Sequence, residues 1–259
     1  MELVHFRQYG TEGPPLYILH GVFGMLDNWH YAAGILGRHH RVITFDARNH
    51  GRSFHHPDCS YEAMAADLCR LMEHLGDNEA TILGHSMGGK TAMIFADLYP
   101  QRIQRLICVD IAPKRYPPGH ADYFKAFETL PFHSMKSRRE AEDAFLPFAP
   151  DMGVRQFLLK NLEPLPEGGY KPKLNLQALK TYYDEIIGEL HFSSVLEKPS
   201  LWITGDKSAY VKEEDKPGIR NHFPLTQFIV IPQAGHWVHA DNPPAFIAAV
   251  ESFLLQYPV

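Results

Sequence analysis

The sequence predicts an α/β protein: a mostly parallel sheet with helices on both faces and a helical segment inserted into it. Three observations carry this. Short apolar runs alternate with helical patterns over residues 15–110 and again over 199–259. Some of those runs, such as Leu106-Ile107-Cys108-Val109, are apolar without a break, which marks strands buried on both faces. Between the two stretches the alternation stops, and residues 114–195 carry proline, charge and aromatic residues in amphipathic helical patterns.

Taken in order, residues 15–20 and 41–46 read as buried strands flanking a helix over 28–37. Over 60–75, Tyr61, Met64, Leu68, Leu71, Met72 and Leu75 share one face at 3.6-residue spacing, with Ser60 placed to cap the helix. A strand over 80–83, a helix over 87–98 and a strand over 105–110 follow. Inside the insertion, 121–130, 137–145, 154–162 and 176–190 read as amphipathic helices. Regular order resumes with a strand over 199–204, a helix over 212–221 and a strand over 227–231. The last helix opens at Asp241-Asn242-Pro243, where proline suits the first turn. The division expected is a core of residues 1–113 and 196–259, with an inserted helical cap of 114–195.

Composition narrows the function. A length of 259 residues fits one large domain, or a core with one insertion. With 45% hydrophobic and 21% charged residues the chain can bury a sizeable core. The net charge of −5, and no basic run longer than Arg138-Arg139, leave no footprint for a phosphate backbone, so no nucleic-acid partner is expected. No basic leader precedes an apolar stretch and no apolar window approaches a membrane span, so a cytoplasmic protein is expected. Cys59, Cys69 and Cys108 form no CxxC pair and read as buried thiols. Although histidine is frequent, zinc-type spacing is absent, and neither metal nor cofactor is expected.

The chemistry centres on Gly84-His85-Ser86-Met87-Gly88. G-x-S-x-G is weak alone, but here a strand pattern runs straight into it and a helix pattern straight out, the setting that presents a serine hydroxyl on a strained turn. Small residues are needed there: Gly84 and Gly88 avoid Cβ clashes across the turn, and Gly89 lets the helix pack close to the sheet. Ser86 is then the candidate nucleophile, against the plainer reading of a serine that only caps a helix.

A serine nucleophile needs a base, and the base an orienting acid. In Gln233-Ala234-Gly235-His236-Trp237, His236 follows the last strand at the carboxyl edge of the sheet, where open α/β sheets build their sites. It is preferred to His239, three residues on. Asp110 ends an apolar strand, where a carboxylate is costly unless paired with an imidazolium. It is preferred as the acid to Asp206 in Gly205-Asp206-Lys207-Ser208. Ser208 then supplies a supporting hydroxyl for the acid or the histidine. The oxyanion hole needs two backbone N–H groups: Met87 offers one, and His20-Gly21-Val22-Phe23-Gly24 the other. Val22 is the preferred donor; Phe23 is the alternative donor and a substrate contact. His20 and the segment Asp46-Ala47-Arg48-Asn49-His50-Gly51 read as structural.

Together HGVFG, FDARNHGRS, GHSMGGK, VDIAP and AGHWVHADNP span the core and resemble the α/β-hydrolase superfamily. GHSMGGK followed by VDIAP, Ser208 with Tyr210 close behind, and GHWVHA is similar to the YbfF esterase group, related to the ABHD-type acyl hydrolases. That resemblance implies a helical cap over a wide crevice and a triad with its acid at Asp110. It also implies Ser208 in support, Tyr210 at a substrate-binding position, and activity on carboxylic esters and acyl thioesters. Relatives carry basic residues just after the VDIAP-like segment, whereas here Lys114 to His120 gives no one-to-one match.

The reading is a cofactor-free serine esterase or thioesterase acting on a small molecule. Dehalogenases and epoxide hydrolases of this fold place aspartate at the nucleophile, so Ser86 argues against both. A same-triad carbon–carbon hydrolase, lyase or perhydrolase, and a binding-only member of the fold, are the alternatives.

Overall fold

The computed structural model describes residues 2–258. Among the described residues there are nine strands: β1 (Phe6–Tyr9), β2 (Pro15–Leu19), β3 (Arg41–Phe45), β4 (Ala80–His85), β5 (Ile103–Val109), β6 (Leu162–Pro164), β7 (Tyr170–Pro172), β8 (Ser200–Gly205) and β9 (Thr226–Ile231). Seven form one sheet in the order β1-β3-β2-β4-β5-β8-β9. Only β1 runs antiparallel, against β3. The other neighbours are parallel, and their register brings Leu19 beside Phe45 and Gly84, His85 beside Val109, and Gly205 beside Ile231. All the parallel strands therefore end along one edge.

Successive side chains along each strand enter different layers. Tyr17, Ile82, Leu106, Cys108 and Trp202 join the core beneath α2 (Tyr61–His74) and α3 (Met87–Leu98). Leu16, Ile18, Leu83, Ile107, Val109, Leu201 and Ile203 join the opposite core under α1 (His30–Leu36) and the last helix. The period of two, with both faces apolar, explains why these runs show no polar alternation.

Most expected elements form, with ends shifted by no more than four residues. Ser60 Oγ accepts the Ala63 N–H as the cap of α2, and Asn242 Oδ1 accepts the Ala245 N–H at the start of the last helix. Between β5 and β8 lie α4 (Ala121–Thr129), α5 (Arg138–Phe145), α6 (Met152–Leu159), α7 (Leu176–Thr181) and α8 (Tyr183–Ile186). The single helix expected over 176–190 is the pair α7 and α8, broken at Tyr182. The hairpin β6–β7 was not expected, because its three-residue arms include Pro164 and Pro172. The remaining helices are α9 (Lys216–His222), α10 (Val238–Asp241), which holds His239, and α11 (Pro243–Gln256).

Phe124, Phe127, Phe145 and Leu158 of the inserted elements are buried in the same apolar cluster as α2 and α3. The two roots of the insertion lie side by side: Tyr116 N–H donates to Ile187 O (2.8 Å) and Leu190 N–H to Pro113 O (2.7 Å). Lys90 on α3, 1% exposed, extends its ammonium to both roots, donating to Lys114 O (3.0 Å) and to Gly188 O.

Candidate active site

β4 and β5 each run into a residue with positive φ: Ser86 (φ 54°) and Asp110 (φ 50°). Neither is glycine, so each turn stores ~1–3 kcal/mol of strain that the surroundings must hold. At Ser86 the reason is close packing. A Cβ on Gly84 would meet Gly88 O at 2.1 Å, and one on Gly88 would meet Leu19 O at 2.5 Å. The turn is thus wedged between its own helix and the end of β2, leaving Ser86 half-buried at the N-terminus of α3.

The loop after β9 brings His236 to the end of β5, where its Nδ1 lies 2.7 Å from Asp110 Oδ2. With Nδ1–H donating to the carboxylate, Nε2 carries a bare lone pair. Asp110 is wholly buried, and its carboxylate also accepts the Ser208 hydroxyl (2.5 Å) and the Gly205 N–H (3.4 Å). Burial pushes the carboxyl up from its ordinary value, and those two donors oppose the shift. Burial also pulls His236 down to about 3, so the imidazole is a free base at neutral pH.

Asp206 does not touch the histidine side chain: its Oδ1 accepts the Ala234 N–H (3.1 Å) and braces the loop that carries His236. His239 stacks on Trp29 with ring centroids 4.0 Å apart and is buried away from Asp110. Tyr210 lies flat against the His236 ring (3.7 Å between centroids, 16° between planes).

Among the described residues, neither the Val22 nor the Met87 N–H donates within the protein. Phe23 N–H points to His50 Nε2 (3.3 Å), while the Val22 N–H has no acceptor among the described residues. The Phe23 ring is buried among Phe124, Phe127 and Tyr123 and walls the cavity from the insertion side. His20 is structural: its Nε2 accepts the Ala47 N–H (2.9 Å), so Nδ1–H donates to Gly21 O (2.8 Å). Arg48 forks onto Asp67, and Asn49 Oδ1 accepts from His56 N–H and the Asn175 amide.

Two residues escaped the sequence reading. His85 donates Nε2–H to His236 O (2.8 Å), tying the His236 backbone to the turn that carries Ser86. The Tyr183 hydroxyl accepts the N–H groups of Gly119 and His120 and therefore gives its proton to His120 Nδ1 (2.7 Å). That leaves His120 a neutral ring with its proton on Nε2, on the wall of the cavity. No local pattern marks either role, since the partners lie 151 and 63 residues away.

Ser86, Met87, Val22, His236 and Tyr210 all line one cavity of about 310 Å³ beneath the inserted elements, its surface largely apolar. Among the described residues no cluster of His, Cys, Asp and Glu could hold a metal ion. A serine on a strained strand-to-helix turn, a carboxylate-paired histidine and a parallel sheet with an insertion after Asp110 define a class. A family model for the alpha/beta hydrolase fold matches residues 14–243, and the chain belongs to that family.

Within it the chain falls in the group of YbfF-type esterases and ABHD11-type lipases. It is 41% identical to the sn-1-specific diacylglycerol lipase ABHD11 of Mus musculus, over 93% of this chain and 81% of that protein. To Esterase YbfF of Escherichia coli (strain K12) it is 35% identical, over 93% and 92%. A solved structure described as a marine microorganism esterase superposes with a TM-score of 0.94 at 36% identity, covering 97% of this chain and 99% of that one.

Proposed function

We propose that the protein is a cofactor-free serine hydrolase that cleaves carboxylic esters and acyl thioesters through an acyl-enzyme on Ser86. The observation that carries this is the 2.7 Å contact between His236 Nδ1 and Asp110, with the imidazole and Ser86 facing one cavity. His236 Nε2 takes the Ser86 proton as the hydroxyl attacks the acyl carbonyl, and returns it to the leaving alcohol or thiol. Asp110 fixes the ring so that Nε2 carries the lone pair, and offsets the imidazolium that forms. The Val22 and Met87 N–H groups receive the oxyanion, helped by the positive end of α3. Water then attacks the acyl carbon as His236 removes its proton; the bond from the acyl carbon to Ser86 Oγ breaks, His236 returns that proton to Oγ, and the acid departs, ionising to a carboxylate in solvent.

Residues 114–195 act as the cap, and their aromatic wall over Ser86 supplies the acyl site. A cavity of about 310 Å³ stands at the low end of the ~300–1,000 Å³ usual for small-molecule pockets, which favours short to medium acyl chains over long ones. Phe23 walls that site. Among the described residues no helix is long and apolar enough to cross a membrane, and a cytoplasmic setting completes the reading.

A fluorophosphonate probe, together with turnover of p-nitrophenyl butyrate, tests the proposal. One label per chain, lost with turnover in Ser86→Ala, is the expected result. Labelling or turnover that survives Ser86→Ala would overturn it.

A further inference from the structure

We infer that Tyr210 is a positioning residue for the general base, holding the His236 imidazole face to face and favouring the charge the ring gains when it takes a proton from Ser86. The inference rests on the serine-hydrolase reading above and asks more of one side chain in it. The Tyr210 and His236 rings are stacked at 3.7 Å with 16° between planes. Tyr116 stacks with Tyr210 at 5.1 Å and 29°. Tyr116 is not itself a ring neighbour of His236, so the contact with the imidazole is made by Tyr210 alone of the two. The face of Tyr210 that packs on the imidazole is taken up by that contact, which suits the ring to backing the base.

The backbone around Tyr210 fixes this arrangement. Tyr210 N–H donates to Ser208 Oγ (3.2 Å), and the same hydroxyl donates to Asp110 Oδ2 (2.5 Å). Tyr210 O accepts the Tyr116 hydroxyl (2.9 Å), which in turn accepts the Ala112 N–H (2.8 Å). One short loop therefore grips both members of the acid–base pair, Ser208 on the carboxylate and Tyr210 on the imidazole. A neutral imidazole gains little from an aromatic face. An imidazolium gains the attraction between a cation and the ring quadrupole, strongest where water is excluded. The benefit appears only as the proton moves, so it lowers the barrier and leaves substrate binding alone.

Steady-state kinetics on p-nitrophenyl butyrate with Tyr210→Phe and Tyr210→Leu tests this. Phenylalanine keeps the ring and is expected to hold kcat within about threefold, whereas leucine fills the space without a π face and should lower kcat about 3- to 30-fold, KM moving less than about twofold in both. Should the leucine variant fail to unfold cooperatively, Tyr210→Met answers the same question with an unbranched, ring-free side chain. A rise in KM at unchanged kcat would make Tyr210 a substrate anchor and overturn the inference. Equal losses in the phenylalanine and leucine variants would place the effect in the hydroxyl, and full activity in leucine would show that the stack does nothing; either outcome overturns it too. Ser86→Ala run alongside separates the two levels. Activity surviving that change sinks the serine mechanism itself, while activity lost there and kept in Tyr210→Leu sinks the Tyr210 inference alone.

Discussion

The buried ammonium of Lys90 donates to the carbonyl of Gly188, joining the helix that follows Ser86 to the far root of the insertion. A second bond, to Lys114 O, ties the near root to the same atom, so one side chain pins both crossings into the insertion. Burial pulls this ammonium down to about 7, with the Arg115 charge acting in the same direction and Glu189 against it. The Tyr116 ring lies 5.2 Å from it.

Lys90→Met keeps the bulk of the stem and removes the donor. Two carbonyls then lose a partner, at roughly 1–3 kcal/mol each when buried, offset in part by the charge no longer being desolvated. The amides of Tyr116 and Leu190, which bond across the roots, should exchange with deuterium faster, while Ser86 still labels. Unchanged exchange at both amides would contradict the clamp.

Asp110→Asn should lower kcat by on the order of 10³–10⁴, because an amide no longer selects the Nδ1–H form of His236. Asp206→Asn should keep most activity, since Asp206 touches only the Ala234 N–H near the base. The reverse ranking in steady-state assays would move the acid to Asp206.

Acid should destabilise the fold through its buried histidines. In the folded chain burial holds His20 and His120 neutral down to about 4, and His50 and His236 down to about 3. The unfolded chain takes those protons near 6.5, so between there and the folded values it binds more of them. Stability therefore falls as pH drops through that window, by up to ~1.4 kcal/mol per pH unit for each group. The buried Asp110 carboxyl, pushed up to about 7, has the opposite sign and offsets one histidine's share; calorimetry should still show Tm dropping from about pH 7 to 5, and a rise in Tm over that range would contradict the buried neutral rings.

For acyl length, kcat/KM should climb from acetyl to butyryl by up to ~0.8 kcal/mol per enclosed methylene. It should level off by octanoyl, as further methylenes leave a cavity of about 310 Å³. Continued growth to palmitoyl would require the cap to open into a longer channel.

The core strands, both helical layers and the positions of Ser86, Asp110 and His236 are legible in the sequence, because a buried parallel strand announces itself as a short apolar run and each of these residues stands just past one. β1 is not: Phe6-Arg7-Gln8-Tyr9 is four residues at an edge, with one aromatic and one polar residue on each face. The supporting polar groups are not legible either. Lys90 sits in an apolar helix where a lysine reads as an anomaly, and its partners Lys114 and Gly188 are 24 and 98 residues away. Ser208 is legible only as a serine near where an acid is often found; its bond to Asp110 spans 98 residues. Such pairings follow from which strand ends meet, and local spacing carries no record of that.

The sheet order sets a timetable for synthesis. β5 pairs with β4 on one side and with β8 on the other, and the chain between Val109 and Ser200 holds the whole insertion. At ~5–20 residues per second, a ribosome needs about 5–20 s to cover that stretch. Through that interval the Leu106-Ile107-Cys108-Val109 edge of a growing half-sheet has no partner strand, and such an edge templates pairing with other chains. The inserted elements emerge during the same seconds, and their aromatic side chains join the cluster on the α2 and α3 side of the sheet. They shelter a face of the nascent half-sheet while its edge waits for β8.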